Sequence, residues 1–417
     1  MFRKKLLQID ACLNVGSTGR IAEDLAKLAQ EHGWECYHIH GSRYVNPPSR
    51  MITYQPGSVA DEYIHYAEHR LFDNDGLASR VVTRRIVKRI KEVSPDVIQL
   101  HDLHDHWLNY KILFEYLNTL NIPIVWTQHD CWSFTGGCSY FTLLGCEQWK
   151  NGCSKSCPER SCHFMRRLWN KTELHYNLKR ELFSATNNLT LVPVSHWLEG
   201  LLKESFLKKK NIRMIHNGID INVFRPLDDI SILRKHGLEG INHVGAKFVL
   251  IGVAHPWSER KGLKDYIALS KVLPPNCIIV LIGLSEEQRN GLPENIVGLG
   301  VTRNVDELVE LYNVADIVLN LSHEETFGLT TAEGFACGTP GIVYNATASP
   351  ELITPETGII VETGDIQGVA DAVKQILANG KSSYTIACRK RAEEFFNKNK
   401  CFEKYLKLYE DLIDRNK

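Results

Sequence analysis

The chain has 417 residues, too many for one ordinary core and suited to two domains of about 200 residues each. It is 43% hydrophobic and 24% charged, with 49 basic and 49 acidic residues, a composition that fits a soluble enzyme and points to no nucleic acid or other strongly charged partner. The apolar stretch after Met1-Phe2-Arg3-Lys4-Lys5 is interrupted by Gln8 and Asp10, and no run reaches the roughly 18 apolar residues of a membrane span. The expected location is cytoplasmic, at most resting on the inner face of a membrane.

In chain order, Leu6 to Cys12 reads as a buried strand, Asn14-Val15-Gly16-Ser17-Thr18-Gly19-Arg20 as a glycine-bearing loop, and Ile21 to about Glu31 as an amphipathic helix. Strand, glycine loop and helix open a doubly wound fold. The loop lets backbone approach a ligand and offers hydroxyls and amides, although its glycine spacing is not the dinucleotide fingerprint and a tight turn explains it equally well. Further strands at Val97 to Leu100, Ile124 to Thr127 and Leu189 to Val194 alternate with helices, which favours a parallel sheet covered on both faces. A basic helix face, Arg80, Arg84, Lys88 and Lys91, lies opposite Val82, Ile86, Ile90 and Val93. Such a face meets either solvent or anionic lipid head groups.

His101, His104 and His106 follow the strand ending at Leu100, and Thr127-Gln128-His129-Asp130 follows the next. His101 and His129 therefore end strands and point toward a cleft. A metal trio in the first cluster would need a further ligand and supporting groups that the sequence does not display. Of the twelve cysteines, six fall between 131 and 162. Cys138, Cys146, Cys153 and Cys157, flanked by Cys131 and Cys162, either hold a structural zinc or remain free thiols, since their spacing matches no standard zinc pattern.

The second half repeats the α/β alternation, with strands near Phe248 to Val253, Ile278 to Ile282, Ile317 to Leu321 and Gly341 to Val343. The expected domains are 1–210, 211–398 with its first strand at Ile212 to Ile215, and a closing helix within 399–417 that returns to the first domain. Two motifs follow strands here. Gly252-Val253-Ala254-His255-Pro256-Trp257-Ser258-Glu259-Arg260-Lys261-Gly262 brings Arg260 and Lys261 as positive charge for a leaving diphosphate, or as a solvated basic turn. Ser322-His323-Glu324-Glu325-Thr326-Phe327-Gly328-Leu329-Thr330-Thr331-Ala332-Glu333 leads into a helix beginning near Gly328. Free amides at Phe327, Gly328 and Leu329 would cradle an anion, while Glu325 and Glu333, about two turns into the helix, would accept hydrogen bonds from sugar hydroxyls. An acidic cluster that merely stabilises a helix start is the plainer alternative.

Taken in order, the loop 16–20, His101, Thr127-Gln128-His129-Asp130-Cys131-Trp132, Val194-Ser195, Asn217-Gly218-Ile219-Asp220, Lys261-Gly262 and the Glu325 to Glu333 motif resemble the family 4 glycosyltransferases, in particular those that assemble bacterial surface polysaccharides. The resemblance covers nearly the whole chain. It implies two Rossmann-like domains facing a cleft, the arrangement called GT-B. It also implies a retaining transfer from a UDP- or GDP-type nucleotide sugar to a saccharide or lipid-linked saccharide, with no metal cofactor required. By the same resemblance, Gly16, Ser17, Thr18 and Gly19 lie on the donor side, Lys261 meets the diphosphate, Glu325 the sugar hydroxyls and Glu333 the ribose. Thr326, Phe327, Gly328, Leu329 and Thr330 meet sugar and phosphate through their amides, and His101 lies near the transferred sugar, with His129 and Asp130 on the acceptor side. His101, Lys261 and Glu325 are then the catalytic candidates. Where the family usually has Gly-Arg, this chain has Gly252-Val253, and Arg260 is the candidate substitute. A nucleotide-sugar epimerase and a non-catalytic sugar-nucleotide binding protein share the architecture and stay open on fold alone.

Overall fold

The computed structural model describes residues 3–44, 46–158, 169–227 and 248–415. Cys162 lies outside them. The chain divides into two compact units, one comprising 1–216 with 401–417 and the other 217–400.

The first unit holds a seven-stranded parallel sheet: β1 (Lys5–Asp10), β2 (Glu35–His40), β3 (Ile52–Tyr54), β4 (Val97–Leu100), β5 (Ile124–Gln128), β6 (Leu189–Pro193) and β7 (Asn211–Ile212), in the order β3-β2-β1-β4-β5-β6-β7. The central strands are apolar runs because helices cover both faces. The glycine loop is not a loop: the helix Gly16–Glu31 begins at Gly16, so Ser17, Thr18 and Gly19 form its first turn, and Val15 supplies no side-chain cap. Nor does β7 open the second domain. It pairs in parallel with β6, Leu191 opposite Ile212, and so extends the first sheet beyond the expected boundary at 210.

The second unit has β8 (Phe248–Val253), β9 (Cys277–Ile282), β10 (Ile296–Leu299), β11 (Ile317–Asn320), β12 (Gly341–Tyr344) and β13 (Gly358–Val361), in the order β10-β9-β8-β11-β12-β13. Numbered within its own sheet this is the 3-2-1-4-5-6 order of the doubly wound dinucleotide-binding fold. The order of strand addition reverses between the parallel neighbours β8 and β11, whose residues Leu250 and Ile317 are register partners. The first sheet has the corresponding reversal between β1 and β4. In such sheets ligands bind beyond the carboxyl ends of the strands at this reversal.

The last helix, Lys398–Arg415, ends in the first unit. Phe402, Tyr405, Leu406 and Tyr409 enter a core with Leu6, Leu25, Trp34, Val97 and Val125. Its two tyrosine hydroxyls satisfy polar groups on the sheet: Tyr409 donates to Gln99 Oε1 at 2.8 Å, and Tyr405 lies 3.0 Å from Thr127 Oγ1. Both phenols are buried, so each needs the partner it has.

Just before this helix, the second unit is tied by the segment Asn217-Gly218-Ile219-Asp220. Ile219 N–H donates to Phe396 O at 2.7 Å, Lys398 N–H to Ile219 O at 2.9 Å, and the Lys398 ammonium pairs with Asp220 at 2.8 Å. A side chain at Gly218 would collide with the Cα of Lys398, which explains the glycine. Gly218→Ala is therefore expected to destabilise the protein by about 1–3 kcal/mol, as overpacking against backbone does. Gly300→Ala, where a Cβ would meet nothing within 4 Å, should leave urea unfolding nearly unchanged.

Candidate functional site

The adjacency of β8 and β11 brings together the two motifs that follow these strands. After β8 the chain forms a short turn, Glu259–Lys261, and Gly262 at φ +73° opens the helix Leu263–Ser270. A Cβ on Gly262 would collide with the carbonyl of Leu321 at the end of β11, so glycine is required by both conformation and packing. Two hydrogen bonds complete the junction: His323 N–H to Arg260 O at 2.8 Å, and the Arg260 guanidinium to Glu324 O at 3.0 Å. Across it the Lys261 ammonium reaches Glu325 Oε2 at 2.5 Å.

The Glu325 backbone is fixed separately. Its N–H donates to Thr347 Oγ1 at 2.8 Å, the Thr347 hydroxyl donates back to Glu325 O at 2.7 Å, and Ala348 N–H donates to Glu325 O at 3.1 Å. Thr347 accepts a left-handed conformation, φ +49°, to do so. Gly328, at φ +102°, starts the helix Leu329–Ala336 without a side-chain cap. The amides of Leu329 and Thr330, outside the i→i−4 ladder by geometry, thus form a helix start suited to an anion. Phe327 anchors this turn, buried edge-on against Phe396 with centroids 5.6 Å apart. Glu333, little more than one turn in, accepts a hydrogen bond at 2.9 Å from the buried Tyr312 hydroxyl. Burial alone would push the Glu325 carboxyl up, but the Lys261 ammonium, helped by Arg260 and the Thr326 amide, holds it below the usual glutamate range. It is an ionised carboxylate at neutral pH.

The equivalent reversal in the first unit carries a second cluster on the turns after β4 and β5. His101 is 2% exposed and both its ring nitrogens are engaged: Nε2 donates to Gln8 Oε1 at 3.0 Å and Nδ1 accepts from His129 Nε2 at 3.1 Å. Burial, with His129 beside it, drives His101 well below its ordinary pKa, and burial takes His129 down to about 4. Both rings are neutral. His101, expected near the transferred sugar, is an enclosed histidine with both ring nitrogens hydrogen-bonded. Asp130 uses one carboxylate oxygen on Trp132 N–H at 2.8 Å and the other on His104 Nε2 at 2.8 Å.

His104, which the sequence offered only as one of three histidines after β4, is the centre of this cluster. Besides Asp130, its Nδ1 meets Asp105 Oδ1 at 3.0 Å and its Nε2 lies 3.5 Å from Asp102 Oδ1. Burial would lower the imidazole, but Asp130, Asp102 and Asp105 outweigh it and hold His104 well above its ordinary value, as an imidazolium. Burial also pushes Asp102 up to about 7, and leaves the wholly buried Asp10, whose Oδ1 accepts Asp102 N–H at 3.3 Å, well above the carboxylate range. The signal was present as histidines interleaved with Asp102 and Asp105. What hid it was the need for Asp130 from another strand.

The structure thus gathers Arg260, Lys261, Glu325, Thr326, Phe327, Gly328, Leu329, Thr330 and Glu333 in the second unit, and His101, His129 and Asp130 in the first, where Gly16 to Gly19 also lie. The cysteines of 131–157 form no such group among the described residues. Cys138, Cys146, Cys153 and Cys157 form no disulfide with one another, and among the described residues no three cysteine sulfurs come together as ligands of one ion. Cys153 instead accepts a hydrogen bond from Gly136 N–H at 3.2 Å.

With this geometry in view, likeness to known proteins is specific. Residues 18–223 match the model of Glycosyltransferase Family 4, and residues 241–394 that of Glycosyl transferases group 1. WcaC of Escherichia coli (strain K12), provisionally described as a colanic acid biosynthesis glycosyl transferase, is 24% identical over 425 residues, covering 98% of this chain and 100% of that protein. Among solved structures, the sucrose-phosphate synthase of Thermosynechococcus elongatus superposes with a TM-score of 0.72 at 17% identity, over 99% of this chain and 100% of that one. Anabaena HepE in complex with UDP-glucose superposes with a TM-score of 0.65 at 17% identity, over 98% and 99% respectively. Nothing among these favours the epimerase alternative. The chain belongs to the family 4 glycosyltransferases and has their GT-B fold, two Rossmann-like domains each carrying its cluster at the carboxyl ends of its strands.

Proposed function

We propose that this glycosyltransferase moves a sugar, with retention of anomeric configuration, from a UDP- or GDP-type nucleotide sugar to a saccharide or lipid-linked saccharide in cell-surface polysaccharide assembly. The observation that carries the reading is the Lys261–Glu325 pair at 2.5 Å beside the uncapped helix start at Gly328. Likeness to WcaC supports the biosynthetic setting, and likeness to HepE with UDP-glucose supports a nucleotide-sugar donor.

In this reading the ion pair holds the place of the donor. The diphosphate takes the Lys261 ammonium and the amides of Leu329 and Thr330, and Glu325, released, accepts hydrogen bonds from sugar hydroxyls. Glu333, oriented by Tyr312, receives the ribose. As the bond from the anomeric carbon to the phosphate oxygen breaks, the acceptor oxygen bonds to that carbon on the same face. The departing phosphate takes the acceptor proton while Lys261 and the helix amides stabilise its charge. No carboxylate pair placed to flank the bond, as in retaining hydrolases, is required. On the acceptor side, His104 with its three carboxylates offers hydrogen-bond acceptors to hydroxyls, and His101 supports His129 from beneath.

Contact with a membrane surface fits the same unit. The helix Val59–Phe72 exposes Val59, Tyr63, Ile64, Tyr66, Leu71 and Phe72, and the neighbouring helix Arg80–Val93 exposes Arg80, Arg84, Lys88 and Lys91. The two are joined near their starts, where Arg85 donates to Pro56 O at 3.0 Å. Aromatic and aliphatic groups beside cations suit an anionic bilayer surface. No helix among the described residues is long and apolar enough to cross a membrane.

Lys261→Ala is expected to lower kcat by roughly 10²–10³-fold, the usual cost of removing one donor to a developing anion, with KM for the donor changed far less; unchanged turnover would remove Lys261 from the mechanism. Tyr312→Phe should raise the donor KM about fivefold, the loss of one hydrogen bond to a carboxylate, while leaving kcat near wild type. A thermal-shift screen of UDP-, GDP- and ADP-sugars should stabilise the wild type with one base only, and Glu333→Ala should abolish that shift. In co-sedimentation with anionic vesicles, the double substitution Tyr63→Asp and Ile64→Asp should reduce bound protein severalfold without altering the melting temperature.

A further inference from the structure

We propose that His69, Asp75 and His106 form a zinc site, separate from the donor cluster, that clamps the turn after β4 to the helix Val59–Phe72. The candidate ligand atoms of these three residues all lie within 4.8 Å of one another. His106 Nε2 stands 3.8 Å from Asp75 Oδ1, and the rings of His69 and His106 lie 4.7 Å apart by centroid.

Three observations separate this cluster from a hydrogen-bonded one. First, 3.8 Å is too long for a hydrogen bond between imidazole and carboxylate. It is near the spacing of two ligands that share one ion: donors each about 2.0–2.1 Å from a tetrahedral zinc lie roughly 3.3–3.4 Å apart. Second, both ring nitrogens of His106 are buried and neither has a hydrogen-bond partner. A neutral imidazole carries one N–H and one lone pair, so without a ligand both would be spent on nothing. Third, the neighbouring histidine is already committed. His65 donates from Nδ1 to Ser79 Oγ at 2.8 Å and accepts Gly76 N–H on Nε2 at 3.0 Å, which fixes the turn carrying Asp75 beside the ion and removes His65 from the ligand set.

The contrast with the other converging group, Asp102–His104–Asp130, is direct. There the contact of His104 with Asp130 closes to 2.8 Å, and the nitrogens are used within the cluster. That is an imidazolium held by carboxylates. Two imidazoles and one carboxylate suit zinc and leave one coordination position for water. Because His106 lies just beyond Asp102, His104 and Asp105, the ion would hold the acceptor-side turn in place from outside it. It would not touch the transferred sugar.

The test uses the full-length protein without an affinity tag, stripped with chelator and then titrated with zinc chloride. About one zinc per chain is expected, with X-ray absorption showing only nitrogen and oxygen neighbours. Affinity should fall at least tenfold in His106→Asn and in Asp75→Asn and stay unchanged in Cys153→Ser. Zinc should also raise the melting temperature of the wild type but not of His106→Asn. Failure of the wild type to take up zinc overturns the proposal, as do sulfur neighbours in the absorption spectrum, which requires no variant, or an affinity equal to that of the wild type in both ligand variants.

Discussion

The close approach of Gly262 to the carbonyl of Leu321 is the constraint on which the proposed donor site rests. It lets the turn after β8 lie directly against the end of β11, and from that contact follow the two backbone-directed hydrogen bonds of Arg260 and His323 and the pairing of Lys261 with Glu325. A cation and an anion, each assigned by the proposed function to a different part of one ligand, thereby neutralise each other. The site keeps both side chains charged and in place without leaving either alone in a half-buried setting, where an unpaired charge is costly. Thr347, strained into the left-handed region, fixes Glu325 from the opposite side, so the carboxylate is held by backbone geometry as well as by charge.

The first unit solves a related problem differently. Three carboxylates, Asp102, Asp105 and Asp130, gather around one imidazole, with Asp10 accepting the Asp102 amide behind them, and burial pushes Asp102 and Asp10 upward in pKa while His104 is held protonated. The result is a polar surface rich in acceptors, backed by the neutral pair His101 and His129. Such a surface matches hydroxyl-bearing ligands, whereas the second unit offers cations and amides that match phosphate. The division of labour proposed for the two units rests on this difference in charge chemistry at the two strand reversals.

The turn after β4 also shows how much is asked of one short segment. Asp105 and His106 both adopt positive φ, at 72° and 65°. This turns His104 toward Asp130 and sends His106 the other way, toward His69 and Asp75. Neighbouring residues of one turn can thus serve two clusters because the backbone reverses between them.

Much of this was legible in the residues themselves. Apolar runs separated by amphipathic stretches identify two parallel sheets, since strands buried on both faces must be continuously apolar. The local order of Glu325, Gly328 and Glu333 likewise marks a loop entering a helix, because only glycine opens that turn. Short or edge strands such as β3 and β10 escaped the pattern because their faces are only partly buried. The first turn of the helix at Gly16 escaped because glycine and hydroxyl residues usually signal a loop. Tertiary structure alone decided the rest. It gave β7 to the first sheet through pairing with β6, enclosed His101 between Gln8 and His129, and brought Asp130 to His104 and His69 to His106. Each of these depends on groups distant along the chain meeting at one point, and local sequence carries the identity of such groups but not their distance.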